Sequence, residues 1–466
     1  MISAAACSWY GDVRMNKNMD MLHGTIGDKL MTFALPLAAT GILQQLFNAA
    51  DIAVVGRCVG KNAMAAVGSN TPVTALILSL FTGISIGANV VISTLIGQRK
   101  PEKVNKAVHT ALLFAFVGGV IFALICELLS RQILSRMSIP DEVFGMALLY
   151  FRVYVAGMPV ILLYDFASAV FRSHGNTRTP LICLLTSGVI NVLLNLFFVL
   201  VLKMTVNGVA LATVISNLIS SVLLIFFLMR EKSEIHFSFK KLGIDKKQLS
   251  MMISIGLPAG IQGMVFAISN IIIQSSINKL GSDVMAASSA AFNIEIFAYY
   301  ILNSFGQACT TFVGQNYGAK QPERCIKATK IALAQDMVIT VVMSMLILLA
   351  GRPLLYIFNS NEAVISVGMI RMKYVLLSEG INVIIEIMSG CMRGYGRSFI
   401  PALICIAGIC GVRITWVYKV FVHHKTYATL LKAYPLSWAV TCAALVIAYT
   451  ILRRVTMKDF FEGKSA

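Results

Sequence analysis

The sequence predicts an all-α integral membrane protein of about twelve transmembrane helices, in two six-helix lobes related by a pseudo-two-fold repeat. Three observations carry this. The 466 residues are 57% hydrophobic and only 13% charged, with mean hydropathy +0.79; a soluble domain carries roughly twice that charged share. Apolar stretches near the ~20 residues needed to cross a bilayer recur from end to end, whereas a β-barrel would show short alternating strands. The chain also repeats itself at a fixed spacing.

Hydropathy, with Gly, Pro and charge as punctuation, places the spans near 30–56, 64–96, 107–128, 145–171, 180–202, 207–229, 248–279, 284–313, 327–349, 364–392, 399–421 and 429–453. The division is a cytoplasmic N-terminal segment (1–29), a first lobe (30–229), a charged cytoplasmic linker (230–247), a second lobe (248–453) and a cytoplasmic tail (454–466). Orientation follows from Lys and Arg in the loops: 25 lie on the side of the termini and 10 on the other, so both termini are expected in the cytoplasm of a cell membrane. The first twenty residues lack the basic and apolar regions of a signal peptide, and Met15, Met19 and Met21 are alternative starts. The net charge of +18 punctuates the apolar runs rather than forming a patch, which speaks for topology and against nucleic acid. The ten cysteines contain no CxxC pair and sit mostly in apolar segments, as buried thiols do.

The repeat shows in several places. MAAVGS from Met64 matches MAASSA from Met285, 221 residues on. FRSHGNTRTP (171–180) matches MRGYGRSFIP (392–401) at the same spacing, pairing Arg172 with Arg393 and Pro180 with Pro401. Pro36 pairs with Pro258 at 222, and GQRKPEKVNKA aligns with GQNYGAKQPERCIKA around a four-residue gap. Six spans followed by six in the same orientation make parallel repeats about an axis along the membrane normal. Carriers that rock one lobe against the other are built this way.

Ionisable residues within such spans are functional candidates by default. Asp51, in NAADIAVVGR, is the first carboxylate after an uncharged run from Lys29, although an ionised Asp at the bilayer centre costs about 2.5–3.5 kcal/mol. Asn191 and Asn195, four apart in NVLLNLFFV, share a helix face. Counted from the outer span ends, Asp51, Asn195 and Thr213 lie at similar depth; interhelical hydrogen bonding alone is the other reading of the Asn pair. Glu295, with Phe292, Tyr299 and Tyr300 nearby, is a candidate for attracting a cationic substrate through charge and cation–π contact, unless a basic neighbour pairs with it. Asp165 and Glu386 are repeat mates, each seven residues before an arginine (Arg172, Arg393), and are candidates for an inner gate. Pro36 weakens the first helix fifteen residues before Asp51 and is a candidate hinge. Asp336 has no repeat mate.

The twelve spans in two lobes, ALPLAATGILQQLFNAADIAVVGR opening the first lobe, GLPAGIQG opening the second and RGYG after the tenth span together resemble the multidrug and toxic compound extrusion (MATE) family over residues of about 25 to 455. That resemblance implies a cation-coupled antiporter that expels organic cations and amphipathic drugs in exchange for Na⁺ or H⁺, acting as a monomer in the bilayer. It implies a cation site built from Asp51 on the first helix, Asn191 and position 195 on the fifth and Thr213 on the sixth. This chain departs from the pattern in having Asn195 where the family has Asp. The family's second branch places acids in helices 7 and 10; Phe266 and Asn382 occupy those positions here, and Asn382 joins the candidate cavity residues. No cofactor is expected beyond the coupling ion, and no Walker-type phosphate loop or catalytic constellation suggests an enzyme. A lipid-linked glycan flippase of the same superfamily is the alternative; about fourteen spans and a more basic cavity would mark it.

Overall fold

A computed structural model describes residues 19–137 and 139–461; the expectations for residues 1–18 and 462–466 fall outside them. Every regular element among the described residues is helical. The first lobe comprises α1 (Gly27–Val54), α2 (Lys61–Gly97), α3 (Pro101–Ser135), α4 (Asp141–Ala156), α5 (Met158–Ser173), α6 (Arg178–Leu196) and α7 (Val206–Arg230). The second comprises α8 (Lys246–Asn278), α9 (Ser282–Gly318), α10 (Pro322–Leu349), the short α11 (Gly351–Tyr356), α12 (Glu362–Leu376), α13 (Glu379–Gly394), α14 (Phe399–Cys405), α15 (Val412–Trp416), α16 (Tyr427–Leu431) and α17 (Ala433–Phe461). Ten helical stretches are long and apolar enough to span alone, and two bent pairs bring the number to twelve.

Those two pairs are a feature the hydropathy reading missed. α4 and α5 meet at 48°, and α12 and α13 at 42°. The breaks lie at Gly157 and Ser378, 221 residues apart. At the first, Pro159 begins α5, where its missing N–H costs nothing. The repeat also needs no gap at the corner between the second and third spans of each lobe. Arg99 and Lys320, 221 apart, both take a left-handed φ (54° and 57°) before Pro101 and Pro322 open the next helix. The last helix runs to Phe461, past the expected end at 453.

The lobes meet at the end that carries the linker. There GISIG (83–87) of α2 lies against GLPAG (256–260) of α8, two glycines four apart on each helix. A Cβ on Gly83 would fall on the backbone of Gly260, and one on Gly87 on the backbone of Met252 and Gly256. Such small-residue faces let helices approach at backbone distance in a medium that supplies no hydrophobic drive. Symmetry closes the rest of the seam. Gly97 faces the Gln315 carbonyl while Gly318 faces that of Thr94, and Asn89 of α2 bonds Thr311 of α9 across the seam (3.2 Å). Gln315 Nε2 donates to the Ser173 carbonyl (2.7 Å), and Arg172 Nη1 to Gln307 Oε1 (3.1 Å).

The opposite end is different. Two core clusters there each belong to one lobe: Val55, Val67, Val143 and Val206 meet in the first, and Ala290, Ile294 and Leu376 in the second. Both larger cores, by contrast, mix the lobes. The structure is thus closed at the linker end and parted at the other.

Helix α1 joins the two regimes. Its start packs in the second lobe's core through Leu30, Phe33 and Leu37, while further on Phe47 abuts Gly188 of α6. The helix is continuous through Pro36, and Thr40 Oγ1 donates to the Pro36 carbonyl (2.8 Å). Arg324 of α10 clamps the preceding chain by donating to the carbonyls of Met21, His23 and Gly24. The linker is likewise no loose tether. Asn105 donates to the carbonyls of Glu234 and His236, His109 stacks on Phe237, and Ile235 and Phe237 are buried in the first lobe. The nine described cysteines are free thiols, seven of them buried.

Candidate functional site

Four residues from three helices converge in the parted half of the first lobe. Asp51 lies near the end of α1, just before the wider π turn Val55–Val59. Asn191 and Asn195 project from α6 one turn apart, before a second π turn at Phe197–Val201. Turns of this kind recur at functional sites because the extra residue re-aims side chains. Thr213 comes from α7. Asn195 Nδ2 donates to Asp51 Oδ1 at 2.5 Å and to Asn191 Oδ1 at 3.3 Å. Thr213 Oγ1 lies 3.2 Å from Asp51 Oδ2 and 3.0 Å from the Val209 carbonyl, so one hydroxyl proton serves either acceptor.

The chemistry follows from what is missing. Among the described residues no Lys, Arg or His lies within ion-pair distance of Asp51, which is buried. Its charge meets only neutral dipoles. The Asn195 Oδ1 atom is buried with no partner. Turning that amide over would present Oδ1 instead of Nδ2 to Asp51, replacing a donor suited to a bare carboxylate by an acceptor suited to a protonated or cation-bound one. With that rotation Asp51, Asn191, Asn195 and Thr213 offer oxygens from four side chains, the donor type a hard cation such as Na⁺ prefers. Tyr150 and Tyr154, stacked 6.1 Å apart on α4, lie within electrostatic range of Asp51. Sequence reasoning missed them, because tyrosines at four-residue spacing look like ordinary core.

The other candidates fare differently. Glu295 is not free for a substrate cation in this geometry. Its carboxylate takes Nε and Nη2 of Arg371 on α12 (3.1 and 2.5 Å), and Arg371 also donates to Ser288 Oγ (3.0 Å). Phe292, 42% exposed, stacks near that same guanidinium (5.6 Å). Tyr299 is 37% exposed beside Tyr300, whose ring packs on Gly41 of α1. Asn382 Nδ2 donates to Glu379 Oε2 (3.0 Å). The inner gate is not made of the expected acid–arginine pairs: no ion pair within 4.0 Å joins Asp165 to Arg172 or Glu386 to Arg393. Asp165 instead accepts weakly from Thr82 (3.4 Å), and Arg393 donates to Gln262 (3.3 Å). Seven residues along a helix bring charges to one face, but long side chains then choose the partner nearest their tips. In the second lobe the repeat mates of Tyr150 and Thr213 are Arg371 and Tyr434, which lie in cation–π contact (5.5 Å). The second lobe thus carries a guanidinium where the first carries the Tyr150 phenol.

Comparison with known proteins agrees with both the repeat and the fold. The family model MatE matches residues 36–197 and again 258–418. The chain is 28% identical over 419 residues to the probable multidrug resistance protein YoeA of Bacillus subtilis, covering 88% of this chain and 90% of that one. It is 25% identical to the probable multidrug resistance protein NorM of Thermotoga maritima, covering 84% of each. The crystal structure of MATE in complex with MaL6 superposes with a TM-score of 0.88 at 19% identity, over 95% of this chain and 100% of that one. The chain belongs to the multidrug and toxic compound extrusion (MATE) family of transporters.

Proposed function

We propose that this chain is a secondary active antiporter that expels organic cations or amphipathic drugs in exchange for H⁺ or Na⁺. The observation that carries the reading is the buried Asp51 carboxylate, held only by Asn195 and Thr213 with no basic partner among the described residues. A charge so placed is neutralised by whatever cation arrives, and that event is worth several kcal/mol in a low-dielectric site. Bound, it tolerates closure of the parted end; empty, it favours the open one. An ion with different affinities for the two states drives the exchange. Ethidium efflux from vesicles holding the purified protein, under an imposed H⁺ or Na⁺ gradient, tests this. Ethidium movement against its own gradient supports the reading, and indifference to both gradients defeats it.

The single carboxylate favours H⁺ over Na⁺. In Asn195→Asp a second carboxylate would face Asp51 across the present 2.5 Å contact, and where both are ionised a bound cation relieves that repulsion. Na⁺ binding to the purified variant should be tighter than to wild type. Unchanged or weaker binding would remove position 195 from the site.

The closed end is assigned to the cytoplasm by the 25 to 10 charge bias. Lys240, exposed in the linker turn Phe239–Lys241, gives the check. Lys240→Cys, in a chain whose exposed Cys58 is replaced by Ser, should resist a membrane-impermeant maleimide in intact cells and react in inverted vesicles; labelling of intact cells above the Cys58→Ser background reverses the assignment.

A further inference from the structure

One buried acid has no part in the site above. Asp336 lies midway along α10, fully buried, and Ala115 stands 221 residues earlier, where an acidic counterpart would be, so symmetry does not require it. Thr340, one turn on, donates to its Oδ1 at 2.9 Å, while Oδ2 is buried with no partner. The Ser344 hydroxyl, a further turn along, is also buried and unpartnered. The other buried acids of this lobe have a base in range: Glu295 holds Arg371, Glu379 feels Arg413, and Glu386 feels Arg393. Asp336 feels only the negative Glu379 and Glu386.

Among the described residues, the helices packed against α10 supply no counter-ion. α13 brings Glu379, Glu386 and Arg393, whose Nη2 donates to Gln262 of α8 (3.3 Å), and α9 brings Asp283 at its start and Glu295, already taken by Arg371 of α12. Lys373, also on α12, is exposed. α11 brings Arg352, paired with Glu362, and α1 has charges only at its inner end, Asp28 and Lys29, apart from Asp51 in the first-lobe site. An ionised carboxylate left like this in mid-membrane is expensive. One carboxyl and one or two hydroxyls are too few oxygens for Na⁺, but enough for a proton.

We propose that Asp336 is a second proton site, in the C-terminal lobe, loaded and emptied during the transport cycle; this rests on the reading of the chain as an ion-coupled antiporter. The proton sits on Oδ2. Its departure leaves Asp336 facing Glu379 and Glu386 across the α10–α13 seam, where Met337 and Val341 lie close against Gly380. Repulsion there acts on α13 just after its 42° bend with α12, so proton occupancy sets how tightly that half-span docks.

The test is infrared difference spectroscopy of the reconstituted protein while pH is stepped, following carbonyl stretches of protonated carboxylic acids. Wild type should show separable titrating bands. Asp336→Asn removes one, Asp51→Asn removes another, and Thr340→Val, which keeps the carboxyl but deletes its donor, shifts the first. The proposal is overturned if Asp336→Asn retains every titrating band, if the band it removes does not respond to pH, or if Thr340→Val shifts nothing. Should Asp336→Asn fail to fold, the Thr340→Val shift decides alone. Loss of a titrating band only in Asp51→Asn leaves the Asp51 reading and defeats this one; loss only in Asp336→Asn does the reverse.

Discussion

Asp51→Asn should reduce drug efflux in cells to near the empty-vector level while leaving expression and drug binding largely intact. The geometry explains why the fold survives. The amide oxygen introduced at this position can still accept from Asn195 Nδ2. Its NH₂ group can donate to Thr213, whose hydroxyl proton already has the Val209 carbonyl at 3.0 Å. Shape and hydrogen bonds persist, but the charge that distinguishes a loaded from an empty site is gone. A site with equal free energy in both states shifts no equilibrium, however tightly it binds drug. Asp141→Asn is the matched control. That residue is exposed at the start of α4 and should be silent. Normal pumping by Asp51→Asn at saturating expression, or drug-dependent ion movement in that variant, would defeat the mechanism.

Gly87→Val should abolish efflux by a different route. The added Cβ falls on the backbone of Met252 and Gly256 of α8, and backbone cannot rotate away as a side chain can. Overpacking a core ordinarily costs about 1–3 kcal/mol, and each ~1.4 kcal/mol moves a two-state balance tenfold. The state closed at the linker end should therefore become rare while each lobe stays folded. Cysteines placed at Asn89 and Thr311, whose side chains bond across the seam at 3.2 Å, report it directly. Asn89→Cys with Thr311→Cys should cross-link in the otherwise wild-type chain and fail to do so with Gly87→Val, as read by mass spectrometry of the peptide pair. Gly68→Val lies on the same helix with open space around its Cβ, and should cross-link and transport normally. Unimpaired cross-linking with Gly87→Val would mean that α2 and α8 do not need this close approach.

The two variants separate the energetic parts of the cycle. Asp51 supplies an ion-dependent difference between states, and the glycine seam makes one of those states reachable. Loss of either stops transport, but only loss of the seam changes the cross-link.

Much of this was legible in the sequence, for identifiable reasons. Span number and order follow from the need to satisfy backbone groups within each segment in lipid, which writes helices as long apolar runs. The two-fold repeat follows from a fixed spacing of 221 that persists at Pro101 and Pro322. Asp51 stood out because a charge in such a run is costly; Asn191, Asn195 and Thr213 were singled out by the resemblance to the MATE family, with depth and helix phase in agreement. Tertiary structure alone decided the partners. Hydropathy averages over a window and cannot show a break of one to two residues, so the bends at Gly157 and Ser378 were invisible. It could not tell that the start of α1 packs in the opposite lobe, because an apolar face does not name the surface that covers it. Nor could it say that Glu295 is taken by Arg371, 76 residues away, while Asp165 and Arg172, seven apart, form no ion pair. Local spacing sets which face of a helix a charge occupies, but the partner is set by whichever tip the packed neighbours bring within about 3 Å.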